Sequence, residues 1–168
     1  LDYAVITDEN YSTAWFTKGN CLMELERFTE ALECYQKVIE IDGPEAMAYC
    51  NIGNCYEELG NMAKARSFYK LAIKEDQELA EAWLGIGMTF KEQERYHDAL
   101  FYVKRALREE PENTEYMLEL ADLFYHLDLI EEAELLYEKI TNLNPAMVDA
   151  WLDWAHTLGS GYLRFEVL

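Results

Sequence analysis

Apolar residues in this chain keep two periods at once. On the short scale they recur three and four places apart, the spacing that gathers side chains on one face of an α-helix. On the long scale the pattern restarts after about 34 residues. A large residue opens each cycle: Trp15, Tyr49, Trp83, Met117 and Trp151. A small one follows one helical turn later, at Gly19, Gly53, Gly87, Ala121 and Ala155. Leu22, Tyr56, Phe90, Phe124 and Leu158 come next. A second small series, Ala31, Ala65, Ala99 and Ala133, precedes Tyr35, Tyr69, Val103 and Tyr137 by one turn.

Each cycle therefore predicts two helices of roughly a dozen residues, marginal in isolation. The turn between them is clearest in LGNM at 59–62, where Gly60 suits the left-handed position after a helix. Pro44, Pro111 and Pro145 stop the second helix of three cycles, and Gln77 stands where proline is expected in the second. The units fall at 12–45, 46–79, 80–113 and 114–147, with a partial, divergent fifth at 148–168. The fifth either diverges or hides a break in the chain. Residues 1–11 fit the end of a preceding second helix, so the sequence reads as a fragment of a longer array. Small residues let paired helices approach closely, and stacked neighbours bury one continuous solenoid core.

The pattern resembles the tetratricopeptide repeat (TPR), W-x2-L-G-x2-Y…A-x3-F…P. The third unit carries it most fully, in Trp83, Ile86, Gly87, Phe90, Ala99, Val103, Ala106 and Pro111. The first unit departs at Lys18 and the fourth at Met117. The resemblance implies an all-α fold, a right-handed superhelical solenoid of antiparallel helix pairs. It also implies protein–protein recognition in a concave groove lined by the first helices. Pentatricopeptide arrays bind RNA and tend to be basic, and HEAT or armadillo units are longer, about 40–47 residues.

Carrying the groove face across in phase selects Phe16, Asn20 and Met23 from the first unit, and Met47, Asn51, Asn54 and Glu58 from the second. The third adds Glu81, Leu84 and Met88. The fourth adds Leu118, Glu119, Asp122, Tyr125 and His126, and the fifth Leu152 and His156. Gly85 shares this face and removes a side chain from its wall, whereas Gly87 lies on the packing stripe. The apolar members either form a binding patch or pack against neighbouring units or a flanking helix. Carboxylates dominate, with Lys91 as the only base on the face. The expected partner is a protein or peptide segment with apolar and basic character.

Asn51 and Asn54 lie in AYCNIGN. The stretch is similar to the asparagine-bearing helices of the TPR array in O-linked N-acetylglucosamine transferase. That likeness implies that Asn20, Asn51 and Asn54 hold a peptide backbone, with ordinary surface hydrogen bonding as the alternative. TPR cochaperones instead clamp C-terminal carboxylates with Lys, Arg and Asn. Here Phe16, Glu81 and Gly85 stand at the cationic places, so acidic chaperone tails are expected not to bind.

The net charge of −19 over 168 residues narrows the partners further. Nucleic acid and anionic membranes both recruit clustered Lys and Arg, so neither is expected. The same charge also serves solubility. No apolar run approaches the roughly 18 residues of a membrane span, and no signal peptide is visible. Cys21, Cys34, Cys50 and Cys55 form no C-x-x-C pair and read as buried reduced thiols. This suits a reducing compartment, the cytoplasm. His126 and His156, with Glu119, Asp122 and Asp153 near them, lack metal-site spacing. No nucleotide loop or nucleophile elbow occurs. The chain is thus expected to be non-catalytic, to need no metal or cofactor, and to act as an interaction scaffold. Two alternatives stay open: a structural array that self-associates through its ends, and a regulatory arm of a longer enzyme.

Overall fold

A computed structural model describes residues 11–165, with side chains through residue 159. The predicted preceding helix falls almost wholly outside the described residues. All regular elements among the described residues are helices: α1 (Ser12–Glu24), α2 (Phe28–Asp42), α3 (Ala46–Glu58), α4 (Met62–Glu75), α5 (Ala80–Lys91), α6 (Tyr96–Glu109), α7 (Thr114–His126), α8 (Ile130–Leu143) and α9 (Val148–Phe165). They group into two compact bodies, one extending to Thr89 and the other beginning at Phe90. In the first body α1 packs on α2, α2 on α3 and α3 on α4. In the second α6 packs on α7, α7 on α8 and α8 on α9. No described helix is long and apolar enough to cross a membrane.

The turn inside each helix pair is built the same way four times. The backbone N–H groups of Arg27, Asn61, Arg95 and Leu129 donate to the carbonyls of Leu22, Tyr56, Phe90 and Phe124 at 2.9, 2.7, 3.0 and 2.9 Å. Such a closure needs one left-handed residue. Gly60 supplies it at φ 73°, as its sequence position predicts. Glu26, Glu94 and Asp128 take the same conformation at φ 56°, 56° and 64°. A side chain there is strained, whereas glycine is not. Glu94→Gly is therefore expected to raise stability by about 0.5–1 kcal/mol in urea unfolding. A loss would mean that contacts of the Glu94 side chain outweigh the strain.

The cycle's punctuation has a further use. Trp83 Nε1 donates to the Gln77 carbonyl at 2.9 Å, and Trp151 Nε1 donates to the Pro145 carbonyl at 3.1 Å. The tryptophan needs only a carbonyl at that place, so glutamine substitutes for proline.

The packing stripe behaves as its small residues predict. Ala31, Ala65, Ala99 and Ala133 are fully buried. A Cβ at Gly19 would lie 2.7 Å from the Tyr35 ring, and one at Gly53 would lie 2.5 Å from the Tyr69 ring. Two residues depart from expectation. Lys18 is half-buried, holding its ammonium 5.5 Å above the Trp15 ring, where Ile52, Ile86 and Leu120 are buried in the later cycles. Cys21 is exposed, unlike Cys34, Cys50 and Cys55. Its counterpart Cys55 lies against the preceding first helix, with Sγ 3.2 Å from Met23 Sδ. No described first helix precedes α1 to cover Cys21 in that way. The partial fifth cycle also differs in form: α9 runs 18 residues without the turn that closes the other first helices.

Candidate functional site

Tyr69 organises the face in the first body. Its ring is fully buried. A Cβ built on Gly53 would come within 2.5 Å of ring atom Cε1, and one on Gly85 within 2.5 Å of Cζ. The ring therefore sits between glycines of α3 and α5. Gly85 is a close approach forced by that ring, not the gap in an open wall that its place on the face predicts.

The Tyr69 hydroxyl lies 2.7 Å from Asn54 Oδ1 and 2.5 Å from Glu57 Oε2. Asn54 Nδ2 donates to Glu81 Oε1 at 3.0 Å. The cycle before repeats the motif: Tyr35 donates to Asn20 Oδ1 at 2.8 Å, and Asn51 Nδ2 stands 3.5 Å from the same oxygen. These partners define which way each amide points. Asn20 is exposed, while Asn51 and Asn54 are half-buried. Burial pushes the Tyr35 and Tyr69 hydroxyls and the Cys50 thiol well above their ordinary ranges, and Glu81 adds to all three. Both hydroxyls thus remain neutral donors.

The tyrosines were legible as packing residues but not as members of the face. A signal was present. Where the second helix carries Tyr35 or Tyr69, the first carries Asn20 or Asn54; the third cycle has Val103 and Met88, both without such a group.

The apolar members divide. Phe16 meets the Tyr35 ring edge-on at 5.6 Å, and with Met23 it packs on the core of α1, α2 and α3. Both therefore serve packing. Met47, Leu84 and Met88 are half-buried, Glu81 likewise, and Glu58 is exposed.

In the second body Lys91 Nζ bridges Glu119 Oε2 at 2.6 Å and Asp122 Oδ2 at 2.8 Å. Burial opposes the lysine charge, but hydrogen bonds to Asp122 and Glu119 outweigh it and raise its pKa. The face's only lysine is thus paired internally. His126 Nε2 lies 3.5 Å from Asp122 Oδ1, and its ring stacks on Tyr96 at 4.6 Å. Tyr125 stands edge-on to both His126, at 5.8 Å, and His156, at 5.6 Å. Asp153 is shifted upward by burial, then by Asp122 and Asp149. Among the described residues no cluster of three His, Cys, Asp or Glu suits a metal ion. Leu118 packs on the core of α7, α8 and α9, whereas Leu152 is exposed.

Repeated helix pairs, stripe-matched small residues and a common turn all point one way. Sequence models of the tetratricopeptide repeat match residues 10–78 and 91–156, together most of the chain. The chain belongs to the tetratricopeptide-repeat family. Its fold is the all-α TPR solenoid. No curated protein matches it in sequence. Among solved structures it is similar to TTC0263, a thermophilic TPR protein in Thermus thermophilus. That match has TM-score 0.80 and 20% identity, over 94% of this chain and 86% of that one. MamA matches at TM-score 0.74 and 20% identity, over 92% and 85%. YrrB, described as a TPR protein with an unusual peptide-binding site, matches at TM-score 0.71 and 21% identity, over 96% and 83%. At these identities the likeness carries the fold.

Proposed function

We propose that this TPR chain is a protein-interaction scaffold that binds an extended peptide of apolar and basic character on the first-helix face of α1, α3 and α5. One observation carries this reading. Tyr35 and Asn51 both engage Asn20 Oδ1, which leaves the exposed Asn20 amide nitrogen as a pre-oriented donor. Beside it Asn51 keeps its own Oδ1 as an acceptor. A donor and an acceptor on adjacent helices match the C=O and N–H of a peptide backbone, whatever its side chains. Leu84 and Met88 supply half-buried apolar surface, and Glu58 and Glu81 supply charge for Lys or Arg. The comparison with YrrB, itself described as peptide-binding, supports the class of ligand.

The test is selection from a peptide library on the immobilised chain, followed by calorimetry of the selected peptides. Selected sequences should be rich in Leu, Met, Lys and Arg, and acidic C-terminal peptides should fail to bind. Asn20→Ala with Asn51→Ala, and separately Leu84→Glu with Met88→Glu, should each weaken binding by about tenfold or more. Wild-type affinity in both variants would overturn the proposal.

A further inference from the structure

The outer edge of each second helix recurs with the repeat. In α6 it is His97, Phe101, Lys104 and Arg108, all exposed. In α8 the same places are Glu131, Leu135, Glu138 and Asn142, again all exposed. Spacing by three and four puts each set on one side of its helix. Phe101 and Leu135 hold the central place and are 64% and 67% exposed. The two earlier second helices put Glu33 and Ser67 there. Glu33, Ser67 and Phe101 all stay exposed with later helices of the array in place, so further stacking of repeats does not cover this position. The Phe101 ring stands edge-on to Tyr102 at 5.1 Å, and Tyr102 stacks on Phe90 at 5.5 Å. The exposed ring thus rests on neighbours that are themselves packed.

Charge separates the two helices. Lys104 and Arg108 flank the phenylalanine, whereas Glu131 and Glu138 flank the leucine. Among the described residues none of these four makes an ion pair. Lys104 leans over the Phe124 ring at 5.1 Å instead. α6 and α8 both pack on α7 across short connections, so each is antiparallel to it and the two run the same way. A two-fold axis running along these helices, midway between them, lays α6 of each copy on α8 of the other, place for place. Phe101 then meets Leu135 of the second copy, Lys104 meets its Glu138, and His97 meets its Glu131. Every pairing occurs twice, the condition for a closed contact between identical chains. The −19 on each copy opposes approach, but salt screens that repulsion beyond about 8 Å, whereas the paired charges meet in contact. We propose that the outer edges of α6 and α8 join two copies of this chain in a two-fold dimer. The contact uses none of the residues assigned to the peptide face.

Sedimentation equilibrium over a range of concentrations, at physiological salt, reads the assembly directly. A reductant is included so that the exposed Cys21 forms no disulfide. A monomer–dimer equilibrium is expected. Phe101→Glu with Leu135→Glu replaces two exposed residues, so circular dichroism should be unchanged while the dimer weakens about tenfold or more. Lys104→Glu alone and Glu138→Lys alone should each weaken the dimer, because each sets like charges against one another twice. Mixed in equal amounts, those two variants should recover a dimer, since both contacts in the mixed pair are then opposite in sign. A chain that stays monomeric at every concentration overturns the proposal. So does a dimer that survives the Phe101, Leu135 variant, or a pair of charge variants that fails to recover on mixing.

Discussion

Between about pH 8 and pH 10.5 the chain should lose on the order of 5 kcal/mol of stability. The cause is a set of groups whose neutral forms are buried. Cys50 and Cys55, with an ordinary value of 9.0, are shifted upward by burial, Cys55 to about 12. Tyr35, Tyr69 and Tyr137, with an ordinary value of 10.0, are shifted upward by the same cause, Tyr137 to about 12. Above pH 9 the unfolded chain releases these protons and the folded chain does not. The unfolded state therefore gains free energy of ionisation, and folding weakens as pH rises. The stabilisation is complete below about pH 8, begins to fall as the unfolded cysteines ionise near pH 9, and is lost toward the folded values. Lys91 acts in the same direction later: its pKa is raised above 10.5, so its pairing is lost only as pH rises through the folded value.

Urea unfolding at stepped pH, followed by circular dichroism, measures this slope. Cys50→Ala should reduce it by about 1.4 kcal/mol per pH unit above pH 9. A profile that stays flat to pH 11 would contradict the burial of these groups.

Alanine at Gly85 should destabilise the chain by about 1–3 kcal/mol, although alanine is the better helix former by about 1 kcal/mol. The added Cβ would stand 2.5 Å from the Tyr69 ring. An exposed ring could swing aside. Tyr69 is held in place, because Gly53 also abuts the ring and its hydroxyl is held by Asn54 and Glu57. The decisive measurement is the sign in a second background. With Tyr69→Ala the clash disappears, so Gly85→Ala should become neutral or stabilising there. A comparison site sharpens the contrast: Gly159 of α9 has open space where a Cβ would go, and Gly159→Ala should stabilise. Equal effects of Gly85→Ala in both Tyr69 backgrounds would remove the ring as the cause.

Much of the fold was legible because repetition multiplies weak signals. A single Trp-to-Gly spacing says little, but the same spacing at Trp15, Trp83 and their relatives specifies paired helices, stripe and turn. The stripe residues Ala31, Ala65, Ala99 and Ala133 are buried as their phase requires. The face was legible as a set of positions, since helical phase selects residues without knowing their neighbours. Its chemistry was not. Asn20 and Asn54 look like free amides in sequence, and Lys91 looks like a free cation. Tyr35, Tyr69, Glu119 and Asp122 come from other helices to engage them.

By itself, then, the sequence determined the repeat length, the helix pairs, the place of each turn and the acid excess, all of which depend on local periodicity and composition. It also required a small residue wherever two helices touch. Tertiary structure decided which small residue meets which ring, and so turned Gly85 from an empty place on a wall into one side of the Tyr69 slot. It decided the partners of Asn20, Asn54 and Lys91, because hydrogen bonds between helices depend on distances that no spacing along one helix encodes. Among the described residues it also left Trp151, Ala155 and Leu158 of α9 exposed. Phase alone assigns Trp151, Ala155 and Leu158 to a core, and only the helix that continues past the expected turn shows that nothing among the described residues covers them.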